Sequence, residues 1–145
     1  MNFMELPKII RGNSFTDIRG TICFNNSFDI KEIKRMYIIQ NSSVNIIRGW
    51  QGHKVEQRWF SAVQGEFEIH LIEVDNWKLP SRKLKSIKYD LDATSLDILH
   101  VPAGYVSCIK SKEQNSKLMS MSNYFLGEIS DEYKYDINFF NLTNK

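Results

Sequence analysis

The segment RGWQGHKVEQRWF, residues 48–60, gathers side chains that can move a proton or grip an anion. His53 is the histidine among them, and an imidazole exchanges its proton near neutral pH without help. Read as one alternating strand, Gln51, His53, Val55, Gln57 and Trp59 share a face, because strand side chains point alternately to the two sides. Turned into a barrel, that row supplies one imidazole, two amides and an aromatic wall. A barrel mouth lined in this way is a small-molecule pocket. The plainer reading, a histidine that only bonds a loop, carries equal weight on the residues alone.

Two arginines stand beside glycines, Arg19 in DIRG and Arg48 in RG. The planar guanidinium fork suits phosphate oxygens, and glycine lets backbone come close to a ligand. Turn-flanking charges of this kind are also common, so the pairs alone are not specific. Metal binding is not expected. An ion needs several converging imidazoles or carboxylates, whereas the row offers one imidazole and two amides. His70 sits beside Glu68 in another alternating segment and His100 precedes VPAG, neither at HxH spacing to His53. Trp50 and Trp59 belong more naturally to the core than to a ligand.

These side chains need a β scaffold, and strand signals dominate. EFEIHLIEV alternates so that Phe67, Ile69 and Leu71 share a face, and MYIIQ is β-branched and aromatic. TICFN, RWFSAV, SIKYDL, DILHVP, VSCIKS and KLMSMSNYF add further strands, separated by turn residues at Gly20, 41–43, 64–65, 75–76 and 102–104. Short strands at regular spacing indicate a sandwich or barrel. Weak helical periodicity appears in SDEYKYDINFF near the C-terminus.

The chain has 145 residues, suiting one domain over 1–145 with a core of its own. A formal net charge of +2 is too small to imply a nucleic-acid partner. The basic residues between Arg82 and Lys88 read as a solvated loop. Cys23 and Cys108 are far apart in apolar stretches, as buried thiols in a reducing compartment would be. MNFMELPKII lacks the apolar run of a leader, and no segment is long enough to cross a bilayer. The expected location is the cytoplasm.

Five blocks, FTDIRGTICF, IKRMY, RGWQGHKVEQRWFSAVQGEFEIHLI, HVPAGYVSCI and SDEYKYDINFF, follow the order seen in the nucleotide-sugar cupins. The chain resembles the dTDP-4-oxo-6-deoxy-D-glucose 3,4-oxoisomerases of WxcM-like, FdtA type and, more distantly, the dTDP-4-dehydrorhamnose 3,5-epimerases. The resemblance implies an all-β fold, a small jelly-roll cupin barrel, here with a short C-terminal helical segment. It also implies a homodimer that holds a dTDP-sugar substrate in the barrel mouth and needs no cofactor. The pathway would be deoxysugar synthesis for bacterial surface glycans such as lipopolysaccharide.

In the oxoisomerase block RGxHAHK two histidines line the site. Here Arg48, Gly49, His53 and Lys54 match, and Gln51 replaces the first histidine. Tyr37 matches the tyrosine that faces the sugar, and Arg19 the arginine associated with the diphosphate. The resemblance therefore makes His53 and Tyr37 the catalytic pair, with Arg19, Arg48, Gln51, Gln57 and Tyr105 binding substrate. The epimerase proton carriers are both replaced, its base by Gln51 and its acid tyrosine by a residue near Met119. Ser107 stands for a further family histidine. Ketoisomerisation through an enediolate is thus favoured. The alternatives are a catalytically silent or altered nucleotide-sugar-binding cupin, or a related sugar epimerase.

Overall fold

A computed structural model describes residues 5–142; the leader reading of the first ten residues therefore falls partly outside the described ones. The described residues form twelve strands: β1 Lys8–Ile10, β2 Asn13–Asp17, β3 Gly20–Phe24, β4 Arg35–Ile39, β5 Ile47–His53, β6 Arg58–Gln64, β7 Glu66–Glu73, β8 Ile87–Asp92, β9 Ile98–Val101, β10 Tyr105–Ser111, β11 Lys117–Ser122 and β12 Tyr133–Lys134. One sheet runs β1-β9-β6-β11-β4 and the other β12-β5-β10-β7-β8, while β2 and β3 pair as a separate hairpin. The strand pairs are antiparallel. This is the expected all-β cupin-like architecture, although the two sheets face each other without closing into a barrel. Among the described residues no helix is long and apolar enough to cross a membrane.

Alternation sets the core. Phe67, Ile69 and Leu71 of β7 are fully buried and pack between the sheets against Phe60, Leu99 and Leu118. The outer face of the second sheet is covered too. There Trp50, Ile72, Val106 and Cys108 pack against Phe140, with Tyr135, Ile137 and Phe139 around them. Trp50 is therefore core, with its ring edge-on to Phe140 at 5.3 Å. Trp59 stacks on His100 at 4.8 Å in a third apolar cluster.

The C-terminal segment is not helical. Tyr133 and Lys134 pair with Gly52 and Gln51 as β12, and the Tyr135 amide donates to the Trp50 carbonyl. The Asp136 carboxylate then caps the Asn138 amide at 2.8 Å, a local bond that competes with helix formation. A pattern with the look of helical periodicity is instead an edge strand followed by an aromatic strap.

Candidate active site

Residues 48–60 are not one strand. β5 ends at His53, and the next three amides turn onto a carboxylate from the far end of the chain. Asp131 accepts from Lys54 N at 3.0 Å, Val55 N at 2.8 Å and Glu56 N at 2.7 Å. That turn resets the alternation before β6. Gln57 consequently leaves the expected face: its Oε1 lies 2.6 Å from His100 Nε2, and it lines neither cavity of the site. Val55 is exposed and Trp59 joins the third cluster. The sequence-derived row is thus corrected to its first two members, Gln51 and His53.

A bulge recruits Arg48 to their side. Between β5 and β10, Gln51 pairs with Ser107 but Arg48 pairs with Ile109, so three steps on β5 match two on β10. One extra residue in a strand shifts the facing of everything beyond it. Arg48, Gln51 and His53 therefore line one wall, beside Ser107 and Tyr105 of the neighbouring β10. Gly52 permits the close pairing, since a Cβ there would collide with the Tyr105 carbonyl oxygen.

The first sheet supplies the facing wall. Tyr37 of the edge strand β4 pairs with Ser120, which pairs with Phe60; two positions away, Arg35 pairs with Ser122 and Ser122 with Arg58. Two adjoining cavities, of ≈ 490 and ≈ 780 Å³, share Tyr37, Gln51, His53 and Arg58 in their lining. The smaller adds Arg48, Tyr105, Ser107 and apolar residues from both sheets. The larger is bordered by the loop 125–132 with Arg35 and Glu56. The imidazole and the phenol thus open onto the same space.

His53 is buried, and its Nδ1 lies 3.0 Å from the Asp131 main-chain oxygen. A carbonyl can only accept, so Nδ1 carries the hydrogen and neutral His53 keeps its lone pair on Nε2. Among the described residues no hydrogen bond engages Nε2. Burial pushes the imidazole below its ordinary value, and the Arg58 guanidinium pushes the same way; Glu56 and Asp131 oppose them. The ring is a neutral base at pH 7, ready to accept a proton.

Arg58, Glu56 and Asp131 have no chemical role in the sequence reading. Arg58 is 7% exposed; its Nη1 donates to the Tyr37 hydroxyl at 2.6 Å and its Nη2 meets Glu56 at 2.8 Å. Glu56 also accepts from Ser122 Oγ and lies 3.5 Å from Arg35. Parity hides Arg58, because a single strand through residues 48–60 places it behind His53. Asp131 has no sequence signal, since its partners lie 75 to 77 positions away.

The other expected residues are placed as follows. Gln51 Nε2 donates to the Glu132 carboxylate. Arg48 Nε donates to Asn41 Oδ1 at 2.8 Å, and the residue lines the smaller cavity. Tyr105 is buried across from His53, and burial followed by Glu73 pushes its phenol up to about 12; it stays a neutral wall group. Arg19 lines neither cavity. It occupies the β2–β3 turn, exposed and paired with Asp17 at 2.7 Å, because the aspartate two residues earlier meets both its amide and its side chain.

The fold does assemble a trio with potential ligand atoms, His53, Glu56 and Asp131, within 4.8 Å of one another. Spacing along the sequence could not anticipate it. Its donors are already committed: the Asp131 oxygens hold three amides, and Glu56 holds Arg58 and Ser122. Two neighbouring guanidinium groups further disfavour a cation. The set fits a hydrogen-bonded base better than a metal centre.

The family model described as FdtA, WxcM-like, C-terminal, matches residues 1–144. Among curated proteins no match is found. A mutant of the 3,4-ketoisomerase QdtA from Thermoanaerobacterium thermosaccharolyticum, in complex with TDP-4-keto-6-deoxyglucose, superposes with a TM-score of 0.70 at 16% identity, covering 92% of this chain and 90% of that one. The WlaRB TDP-quinovose 3,4-ketoisomerase from Campylobacter jejuni gives 0.68 at 20% identity, covering 94% and 98%. A dTDP-4-dehydrorhamnose 3,5-epimerase from Bacillus anthracis str. Ames, with TDP and PPi bound, gives 0.69 at 18% identity, covering 86% and 76%. At these identities the likeness establishes the shared fold.

Proposed function

Because the chain belongs to the FdtA family of WxcM-like C-terminal domains, we propose that it is a dTDP-sugar 3,4-ketoisomerase acting on a 4-keto-6-deoxy sugar. The observation that carries this reading is the shared wall: His53, Tyr37, Gln51 and Arg58 border both cavities. His53 Nε2 takes the proton from C3, which the C4 ketone makes acidic, and the bond's electrons become the C3–C4 double bond with the charge on O4. The Tyr37 hydroxyl bonds a sugar oxygen and mediates exchange, as O4 gains a proton and O3 loses one. His53 then returns a proton to C4, leaving the ketone at C3. No electron is gained or lost overall, so no redox partner is required.

Gln51 orients a hydroxyl, since an amide carries no proton at neutral pH. Arg48 holds the anionic nucleotide portion, and Tyr105 closes the wall beside the sugar. Gln57, bonded to His100, acts only through that pair. Incubation with dTDP-4-oxo-6-deoxyglucose should yield a product whose carbonyl carbon is C3 by ¹³C NMR. Tight dTDP binding with unchanged sugar would instead support a silent binder, the reading that the glutamine at position 51 favours.

A second copy of the chain fits the exposed apolar surface. Phe15, Ile18 and Ile22 project from the β2–β3 hairpin, and Met36 and Ile38 from edge strand β4. An arm that crosses to a partner would carry Arg19 with it, toward the partner's ligand. Sedimentation should give about twice the 17.0 kDa chain mass; a single-chain species at micromolar concentration would contradict the dimer. The free Cys23 and Cys108 favour a reducing cytoplasm and intracellular synthesis of the glycan precursor.

A further inference from the structure

We infer that Arg58 is a further catalytic residue, the fixed cation toward which the enediolate charge develops and the group that aims the Tyr37 hydroxyl proton. This inference rests on the ketoisomerase reading. Arginine only donates, so in the 2.6 Å contact the phenol oxygen is the acceptor and its own hydrogen points elsewhere. No other partner of that oxygen exists among the described residues, and Tyr37 lines both cavities. The hydroxyl is therefore offered to a ligand there.

The guanidinium is held rather than floating. Nη2 is fixed by Glu56 at 2.8 Å, and Glu56 is itself held by Ser122 and Arg35. The carboxylate is shared between two guanidiniums, so its charge does not cancel both. A fixed cation in a sheltered cavity stabilises a developing oxyanion without rearranging during the reaction. The bland alternative is a structural ion pair, yet a buried pair adds little net stability over apolar packing. An arginine that opens β6 inside a cavity wall needs a stronger reason than stability.

The test uses Arg58→Gln and Arg58→Lys in the full chain, with kcat, KM, dTDP affinity and melting temperature measured together. Arg58→Gln should lose about 100- to 1,000-fold in kcat, with dTDP affinity within about threefold. Arg58→Lys, which keeps the charge and the packing stem, should remain folded and lose about tenfold in kcat, because one ammonium lacks the fork that serves Glu56 and Tyr37 together. Lowered melting temperature with undiminished kcat in the folded variants would make Arg58 structural and overturn the inference. Raised KM and weakened dTDP binding at constant kcat would make it a ligand clamp, and would overturn the inference as well. An active wild type beside an unaffected Arg58→Gln refutes this inference alone, whereas an inert wild type refutes the ketoisomerase reading and this inference with it.

Discussion

Replacement of His53 by Asn should reduce turnover by about 10³-fold, within the range that a general base supplies, while the protein stays folded. The argument is geometric. An asparagine amide can still donate to the Asp131 carbonyl from nearly the Nδ1 position, so the bond that anchors the ring at 3.0 Å is kept. What disappears is the lone pair of Nε2 on the cavity side. dTDP affinity should change little, and melting temperature should stay within a few degrees.

The pH profile provides an independent signature of the same group. Burial, then Arg58, holds the His53 imidazole below its ordinary 6.5. The acid limb of kcat/KM should therefore fall below that ordinary value, and activity should be level through neutrality. Stability follows with a definite sign. Between the lowered folded value and 6.5, the unfolded chain binds more protons, so stability rises with pH across that window and is lost as pH falls through it. His53→Asn should remove this component from a plot of stability against pH. An unchanged acid limb in a variant that still turns over would identify a different base.

Asp131→Ala should be the most damaging change for stability, at about 3–4 kcal/mol. Three backbone amides end on this one buried carboxylate, and a hydrogen bond to a charged group contributes roughly 1.5–3 kcal/mol. The contributions do not add in full, because the exposed Lys54 and Val55 amides can turn to water. The buried Glu56 amide cannot. For a domain of this size the expected fall in melting temperature is about 10 °C. Activity should fall with it, since the main-chain oxygen of the same residue fixes His53. Asp131→Asn, with one acceptor in place of two, should lie between. A melting temperature within about 2 °C of wild type in Asp131→Ala would show that the turn after β5 is held by something else.

Much of the scaffold is legible in the sequence because it depends on local alternation. Phe67, Ile69 and Leu71 read as one buried face and are one. The RGWQGHK and KRMY resemblance brings His53, Tyr37, Arg48 and Gln51 forward, and these four do line one cavity. The failures within residues 48–60 share a cause, parity. Alternation along a single strand assigns Gln57 to the His53 face and excludes Arg58 from it, because the turn at 54–57 is imposed by Asp131 from across the molecule. Arg48 reaches the cavity only through a bulge that adds one residue to β5, and no residue type announces where a bulge falls. The C-terminal strand misleads for a related reason. Its aromatic spacing fits a helix, but the free edge of β5 takes Tyr133 and Lys134 into the sheet.

The proton path itself can be observed directly. Incubated in deuterated water with dTDP-4-oxo-6-deoxyglucose, the protein should exchange the C3 hydrogen of recovered substrate and place deuterium at C4 of the product, and His53→Asn should do neither. Conversion and labelling by His53→Asn at the wild-type rate would contradict an imidazole that shuttles the proton between C3 and C4.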